Sequence, residues 1–145
     1  MGHCDDFNTE ADRSMNKLEA ISSQSAAPAI GPYSQGIIAG DFLYVSGQLP
    51  SSHDGSPVPD GIGAQTRLVL HNIEAIAREA GCTLADLAKL TVFMTDLSKL
   101  ESVNEAMASM LNTPYPARST VQVTALPKSS QIEIDAVLKL ADKGE

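Results

Sequence analysis

The sequence is poor in cysteine and in basic residues, and it has no long apolar run. Its two cysteines, Cys4 and Cys82, show neither metal-ligand spacing nor the density of a secreted disulfide scaffold, which favours a reducing compartment. Ten Lys and Arg against 18 Asp and Glu give a formal net charge of −8, the wrong sign for holding a polyanion. Nucleic acid is therefore disfavoured as a partner. No segment approaches the roughly 20 apolar residues of a membrane helix.

Signals for secretion, nucleotide binding and metal binding are also missing. The first 18 residues are polar and acidic where a secretory signal needs an apolar stretch. The sequence contains no GxxxxGK(S/T), GxGxxG, HExxH or CxxC motif. These absences predict a soluble cytoplasmic protein that needs no metal and no organic cofactor.

Length and composition predict one folded domain behind an extension. A chain of 145 residues, 43% of them hydrophobic, has the size and composition of a single domain with its own core. Residues 1–17 are rich in acidic and poor in apolar side chains, which predicts a disordered N-terminal extension. The domain is expected to span 18–145.

The apolar pattern predicts two helices and several strands. The predicted elements are a strand at 18–21, a β-hairpin at 37–45 around Gly40-Asp41, a loop at 51–61, a helix from Ile62 to a C-cap at Gly81, a strand at 89–95 buried on both faces, and a helix from a Ser98–Glu101 capping box to before Pro114. Alternating runs at 118–126 and 131–140, joined by the turn 127–130, predict a closing β-hairpin. This order indicates an α+β fold, a mixed sheet packed on one face by two helices.

Arg118 is a candidate site residue because it interrupts a strand predicted to be at least half-buried. A guanidinium is always charged and has a planar fork of donors that fits a carboxylate. That carboxylate belongs either to a ligand or to the protein itself, through an ion pair with Glu133 or Asp135. The residues alone leave both possibilities open.

Several other polar residues are candidates, each with an ordinary structural alternative. Glu133 lies between two apolar residues, where a raised pKa would suit proton transfer, although the residues alone favour a plain position on the solvent face. Ser46-Gly47-Gln48 ends a strand, and Tyr33 either donates to a substrate or simply packs its ring. No role is assigned to His53, His71 or Cys82, and His71 is expected on the solvated face of its helix.

Four motifs, which follow one another in a fixed order, contain most of these candidate residues. They are Ile30-Gly31-Pro32-Tyr33-Ser34-Gln35, Val45-Ser46-Gly47-Gln48, Tyr115-Pro116-Ala117-Arg118-Ser119 and Ile132-Glu133-Ile134. This set resembles the RidA (YjgF) family of reactive intermediate deaminases, over roughly residues 18–141.

The resemblance implies a chorismate-mutase-like fold assembled as a homotrimer, with sites in clefts between subunits. It also implies hydrolysis of small 2-imino acids and their enamine tautomers, such as 2-iminobutyrate and 2-aminoacrylate, to 2-oxo acids and ammonia. By the same resemblance, Arg118 binds the substrate carboxylate and Glu133 positions the attacking water. Tyr33, Ser46, Gly47 and Asn104 are implied to line the pocket. Thr120 lies beside them, where many members carry a cysteine.

The predicted closing hairpin adds a geometric expectation. With its turn near Lys128, Glu133 would face Val123, five residues from Arg118, or roughly 16 Å along the strand. We therefore expect Arg118 of one subunit to meet Glu133 of its neighbour. Two other functions remain open: an endoribonuclease or translation inhibitor, since the family also carries the name endoribonuclease L-PSP, and a non-catalytic module that binds small carboxylates.

Overall fold

The computed structural model of the protein describes residues 17–142. Its strands and helices follow in the order β1 (Glu19–Ile21), β2 (Gly36–Ala39), β3 (Phe42–Gln48), α1 (Ile62–Glu79), β4 (Leu87–Met94), α2 (Leu100–Met110), β5 (Ala117–Gln122) and β6 (Ile132–Lys139). Single 3-10 turns at Leu84–Asp86, Leu97–Lys99 and Pro127–Ser129 lie in the connections. The predicted extension, 1–17, lies outside the described residues except for Lys17.

All six strands form one mixed sheet, in the order β1-β2-β3-β6-β4-β5. Strands β4 and β5 are parallel, whereas every other neighbouring pair is antiparallel. Helix α2 connects the parallel pair, as a crossover between parallel strands requires. The predicted α+β class, with a mixed sheet and two helices, is confirmed.

The core lies between one face of the sheet and the two helices. Its strand side comes from alternate residues of β3, β4 and β6, and its helix side from residues three or four apart on α1 and α2. The buried apolar residues include Leu43, Val45, Leu90, Val92, Met94, Ile132, Ile134, Leu138, Val69, Leu70, Ile73, Ile76, Val103 and Met107. Both helices therefore cover the same face.

The first hairpin and the long helix are confirmed. Strands β2 and β3 pair around the predicted turn, where Gly40 has a φ of 60°. Helix α1 begins at Ile62 as predicted, and Gly81, with a φ of 75°, turns the chain just beyond the helix end. His71 is on the exposed face of α1, as expected.

The predicted capping box before α2 is wrong. The cap is Asp96, whose Oδ1 accepts a hydrogen bond from the Ser98 N–H at 2.9 Å. A 3-10 turn precedes the helix, so the capped end lies two residues earlier than the pattern of Ser98 and Glu101 suggested.

The predicted closing hairpin is also wrong, because β4 lies between β5 and β6. The connection from β5 to β6 passes the end of β4, where the Val123 N–H donates to Met94 O at 2.8 Å and the Thr95 N–H donates to Gln131 O at 3.2 Å. An alternating pattern indicates a strand but does not specify its partner. The turn residues were read correctly, but they join strands that are not neighbours.

Strand β5 has Val121 and Arg118 on opposite sides of the sheet. Val121 is 43% exposed, and Arg118 pairs in register with the buried Leu90. The side chain of Arg118 therefore points toward the helices. As the last strand of the sheet, β5 is mostly exposed rather than buried.

The sheet face opposite the helices, called here the uncovered face, has no second layer in the described chain. It carries Phe42, Tyr44, Thr91, Phe93, Val121, Glu133, Asp135 and Val137. The prediction that β4 is buried on both sides is half correct, because Thr91 and Phe93 on this face are only half-buried. Three large apolar residues, Phe42, Tyr44 and Val121, are 37%, 48% and 43% exposed.

Candidate active site

All the candidate residues except Thr120 line one of two clefts, which share no residue. The Arg118 cleft, about 420 Å³, is lined by Leu90, Asn104, Met107, Ala108, Leu111, Tyr115, Pro116 and Arg118. The Glu133 cleft, about 500 Å³, is lined by Ala27, Pro28, Ile30, Tyr33, Gln35, Ser46, Gly47, Gln48, Leu49, Ser51, Pro127, Lys128 and Glu133. The first cleft lies between α2 and β5. The second lies where β3 and β6 meet the loops at 22–35 and 49–61.

Arg118 is held by helix α2 but has no carboxylate partner among residues 17–142. Its Nη1 donates to Asn104 Oδ1 at 2.7 Å and to Met107 Sδ at 3.5 Å. Ion pairs in the described chain join other residues, so the alternative pairing with Glu133 or Asp135 does not occur within one subunit. Nε and Nη2 have no hydrogen-bond partner there. The guanidinium of this exposed residue therefore keeps two donor atoms, Nε and Nη2, available to a ligand.

Thr120 lies on the same side of β5 as Arg118, two residues further along the strand. Its register partner is the buried Val92, and its Oγ1 is buried without a hydrogen-bond partner in the described chain. Thr120 does not line the Arg118 cleft. The structure thus places it beside the arginine but beneath the surface rather than at the opening.

Glu133 projects from β6 on the uncovered face, in register with Phe93 of β4. It is half-buried, and no described residue forms a hydrogen bond with its carboxylate. Removal from water raises the pKa of Glu133, and the negative charge of Asp135, two residues along the same strand, raises that pKa further. The carboxyl group is therefore easier to protonate than an ordinary glutamate, which suits a group that must both accept and return a proton.

A β-bulge in β3 fits Gly47 closely against Glu133. Val45 pairs with Ala136 and Gln48 pairs with Ile134, so Ser46 and Gly47 together oppose Asp135. A Cβ atom added to Gly47 would lie 2.7 Å from Glu133 Oε2. A larger residue at this position would displace the carboxylate from its place in the cleft.

The loop before β2 forms the opposite wall of the Glu133 cleft. Ser46 Oγ donates to Ser34 O at 2.6 Å, and the Ser46 N–H donates to Gln35 O at 2.9 Å. Tyr33 is 51% exposed, and its hydroxyl accepts a hydrogen bond from the Ile30 N–H at 3.2 Å. One cleft is therefore lined by four of the predicted site residues: Tyr33, Ser46, Gly47 and Glu133.

Gln35 and Lys128 are among the lining residues of this cleft that were not predicted as site residues. Gln35 is 5% exposed and fixes the loop through Ser23 and Ala27, accepting from Ser23 N–H at 2.6 Å and donating to Ala27 O at 2.8 Å. The sequence feature that could have identified Gln35 is its position just before a strand. Lys128 has a φ of 57° in the β5–β6 connection, and nothing in the sequence distinguished it from an ordinary turn residue.

Within one chain, Arg118 and Glu133 lie on opposite faces of the sheet. Arg118 is in register with Leu90, whose side chain is in the core. Glu133 is in register with Phe93, which lies three residues further along β4 and therefore on the other face. The hairpin used to predict their separation does not exist. The two residues are nonetheless separated, by the sheet itself rather than by distance along a hairpin.

The structure adds two observations on other kinds of site. No helix among residues 17–142 has the length and apolar character needed to cross a membrane. Within the same residues, no three His, Cys, Asp or Glu side chains are grouped so that they could hold a metal ion.

The raised pKa of Glu133 predicts a pH-dependent cost to stability. The folded state holds this proton more tightly than the unfolded chain does, so ionised Glu133 lowers the free energy of unfolding above the raised pKa. Glu133→Gln should therefore stabilise the protein at pH 7. The gain should shrink as the pH falls through the folded-state pKa and vanish below the ordinary glutamate value. Urea unfolding across this range measures it, with Glu105→Gln, an exposed position on α2, as the control.

A family model places the chain among known proteins, because the model described as Endoribonuclease L-PSP matches residues 23–139. A RutC family protein, y4sK, from Sinorhizobium fredii is 44% identical over 124 residues, which cover 85% of this chain and 98% of that protein. The 2-iminobutanoate/2-iminopropanoate deaminase of Escherichia coli is 41% identical over 122 residues, covering 82% and 95%.

A solved structure agrees with these sequence matches. The crystal structure of RidA from the Antarctic bacterium Psychrobacter sp. superposes with a TM-score of 0.81 at 40% identity, covering 84% of this chain and 99% of that one. Sequence and fold therefore agree over most of this chain. The chain belongs to the Endoribonuclease L-PSP family, the family of RidA and of the imine deaminase that it resembles.

Proposed function

We propose that this protein hydrolyses small 2-imino acids and their enamine tautomers to 2-oxo acids and ammonia. The observation that carries the proposal is Arg118, a guanidinium with two free donors and no carboxylate of its own in the described chain. A bidentate pair with a substrate carboxylate satisfies it. The relatives at about 40% identity that are named as deaminases favour this ligand over other carboxylates.

The reaction needs a water placed beside the imine carbon and a group that carries protons. The substrate reacts as the protonated imine: ionised Glu133 accepts a proton as the water oxygen bonds to that carbon, and the C=N electron pair moves onto nitrogen to give a neutral amine. Protonated Glu133 then returns the proton to the amine. Loss of the hydroxyl proton to Glu133 forms the C=O bond and expels ammonia, which takes that proton away as ammonium. One carboxylate of raised pKa serves every step.

Both residues can act on one substrate only if two subunits share the site. In one chain they lie on opposite faces of the sheet, so we propose a homotrimer in which Arg118, with Asn104, from one subunit meets Glu133, with Ser46, Gly47 and Tyr33, from the next. The uncovered face supports association, because a sheet face with exposed Phe42, Tyr44 and Val121 is apolar surface of the kind that subunits bury.

The first test couples a threonine dehydratase to this protein and measures the rate at which 2-oxobutanoate is released. Wild-type protein should accelerate release above the spontaneous rate. Arg118→Ala should lower kcat/KM on the order of 100-fold, since it removes two charge-assisted hydrogen bonds. Arg67→Ala, at an exposed site on α1 outside both clefts, is the matched control and should retain full activity.

Each rival function predicts a result that differs from the one expected for a deaminase. A module that only binds carboxylates would leave release at its spontaneous rate with wild-type protein. A ribonuclease would likewise leave release unchanged and would cut RNA in a salt-sensitive way. Either result would overturn the deaminase proposal.

The second test asks whether the site is shared, by mixing two impaired variants. Arg118→Ala and Glu133→Gln should each lose most of the wild-type activity when assembled alone. Unfolded together and refolded, they should regain activity at interfaces where both contributing residues are wild type, about one quarter of the sites for random assembly in a closed trimer. If a single chain formed the whole site, no mixture would show activity.

The third test uses the close fit at Gly47. Gly47→Ala should push the carboxylate of Glu133 aside and lower kcat on the order of 100-fold, because a displacement of about 1 Å has effects of this size. Gly63→Ala is the control, since the nearest atom to its added Cβ is 3.8 Å away. Equal activities for the two variants would show that the position of Glu133 is unimportant.

A further inference from the structure

The Glu133 cleft contains a cation that the proposed reaction does not use. Among residues 17–142, the charged side chains that line this cleft are Glu133 and Lys128. The ion pairs of the described chain join other residues, so Lys128 is not paired with Glu133 although both line one cleft. Its exposed ammonium group, with three donors, therefore remains available to a ligand.

The backbone that carries Lys128 is held in a conformation that costs free energy. Lys128 has a φ of 57° and a ψ of 30°, and Ser129 has a φ of 55°. This is the left-handed region, where a Cβ atom is crowded and glycine is the usual residue. The turn is tied to helix α1 just beyond this point, where the Gln131 N–H donates to Gln65 Oε1 at 3.0 Å. Glycine would suit the turn better than lysine, which favours a role for the lysine side chain.

The charge of the rest of the protein opposes the approach of the proposed substrate. The chain has a formal net charge of −8, and the cleft itself contains Glu133, with Asp135 two residues along the same face of β6. The enamine and the unprotonated imine are anions, because the carboxylate is their one charge. Negative charge around a site slows the association of an anion, and a positive charge at the opening accelerates it.

We propose that Lys128 captures the anionic substrate and draws it into the Glu133 cleft, where Arg118 of the neighbouring subunit binds its carboxylate. The inference rests on the proposed function, because the shared site is what brings Arg118 to this cleft. Lys128 then acts before the chemical step, so it raises kcat/KM and leaves kcat unchanged. At low substrate concentration the rate depends on kcat/KM, and a reactive intermediate is present at low concentration.

Four variants separate the charge of Lys128 from its backbone conformation. Lys128→Met removes the ammonium group and keeps a Cβ atom, Lys128→Gly removes both the ammonium group and the steric cost, and Lys128→Arg keeps the charge. Ser129→Gly is the matched control, since it relieves the same conformation at the next residue and leaves the ammonium group in place. In urea unfolding, both glycine variants should be at least as stable as wild-type protein, because glycine adopts this conformation without a steric cost.

The measurement is the release of 2-oxobutanoate in the dehydratase-coupled assay at several NaCl concentrations. Lys128→Met and Lys128→Gly should lower kcat/KM about three- to tenfold at low salt, with kcat unchanged. The difference from wild-type protein should shrink as salt screens the charge. Ser129→Gly and Lys128→Arg should behave like wild-type protein.

Three results would overturn the capture role. Unchanged kcat/KM in Lys128→Met at low salt shows that the ammonium group is not used. An equal loss in Ser129→Gly shows that the conformation of the turn is needed rather than the charge. A fall in kcat that does not depend on salt shows that Lys128 acts in the chemical step instead.

Calorimetric binding of 2-oxobutanoate, the stable product, distinguishes failure of this inference from failure of the proposed function. If wild-type protein hydrolysed no imine, the proposed function would be rejected. Weaker binding of 2-oxobutanoate to Lys128→Met than to wild-type protein at low salt would still support Lys128 as the capturing residue. Equal binding to the two proteins would reject it.

Discussion

The architecture depends on strand β6, which pairs with β3 on one side and β4 on the other. Ile132, Ile134 and Leu138 are fully buried against the helices, whereas Glu133 and Asp135 on the same strand face away from them. The free energy gained by burying one side of β6 therefore fixes the position of the carboxylates on the other. Because the central strand is rigid, Glu133 can be kept partly out of water although this raises the pKa of its carboxyl group.

The elements that local chemistry specifies were predictable from sequence. Helix α1 follows from its 3.6-residue apolar repeat and the glycine beyond its end, and the β2–β3 hairpin follows from two apolar runs around Gly40-Asp41. Strand pairing was not predictable in the same way. The runs that form β5 and β6 alternate as hairpin strands do, and only the inclusion of β4 between them decides their neighbours.

The candidate site was predicted to a similar degree. The residue types at Arg118 and Glu133 were informative because charged groups within strands require partners. Their arrangement was not, since the predicted hairpin made the strands of Arg118 and Glu133 neighbours, whereas β4 lies between them. The bulge at Ser46-Gly47 and the anchoring by Gln35 depend on contacts between residues distant in sequence, which no local pattern encodes.

The bulge in β3 also limits how this chain can change in length. Two residues there oppose one on β6, so deleting either would restore regular pairing and keep Gln48 opposite Ile134. Gln48, now 5% exposed, would stay on the buried face, but the bend that the bulge gives the strand beside Glu133 would be lost. The loop at 51–61, rich in glycine and proline, can take insertions at little cost. Length variation among sequences with this fold is therefore expected in the loop and excluded from the strand that precedes it.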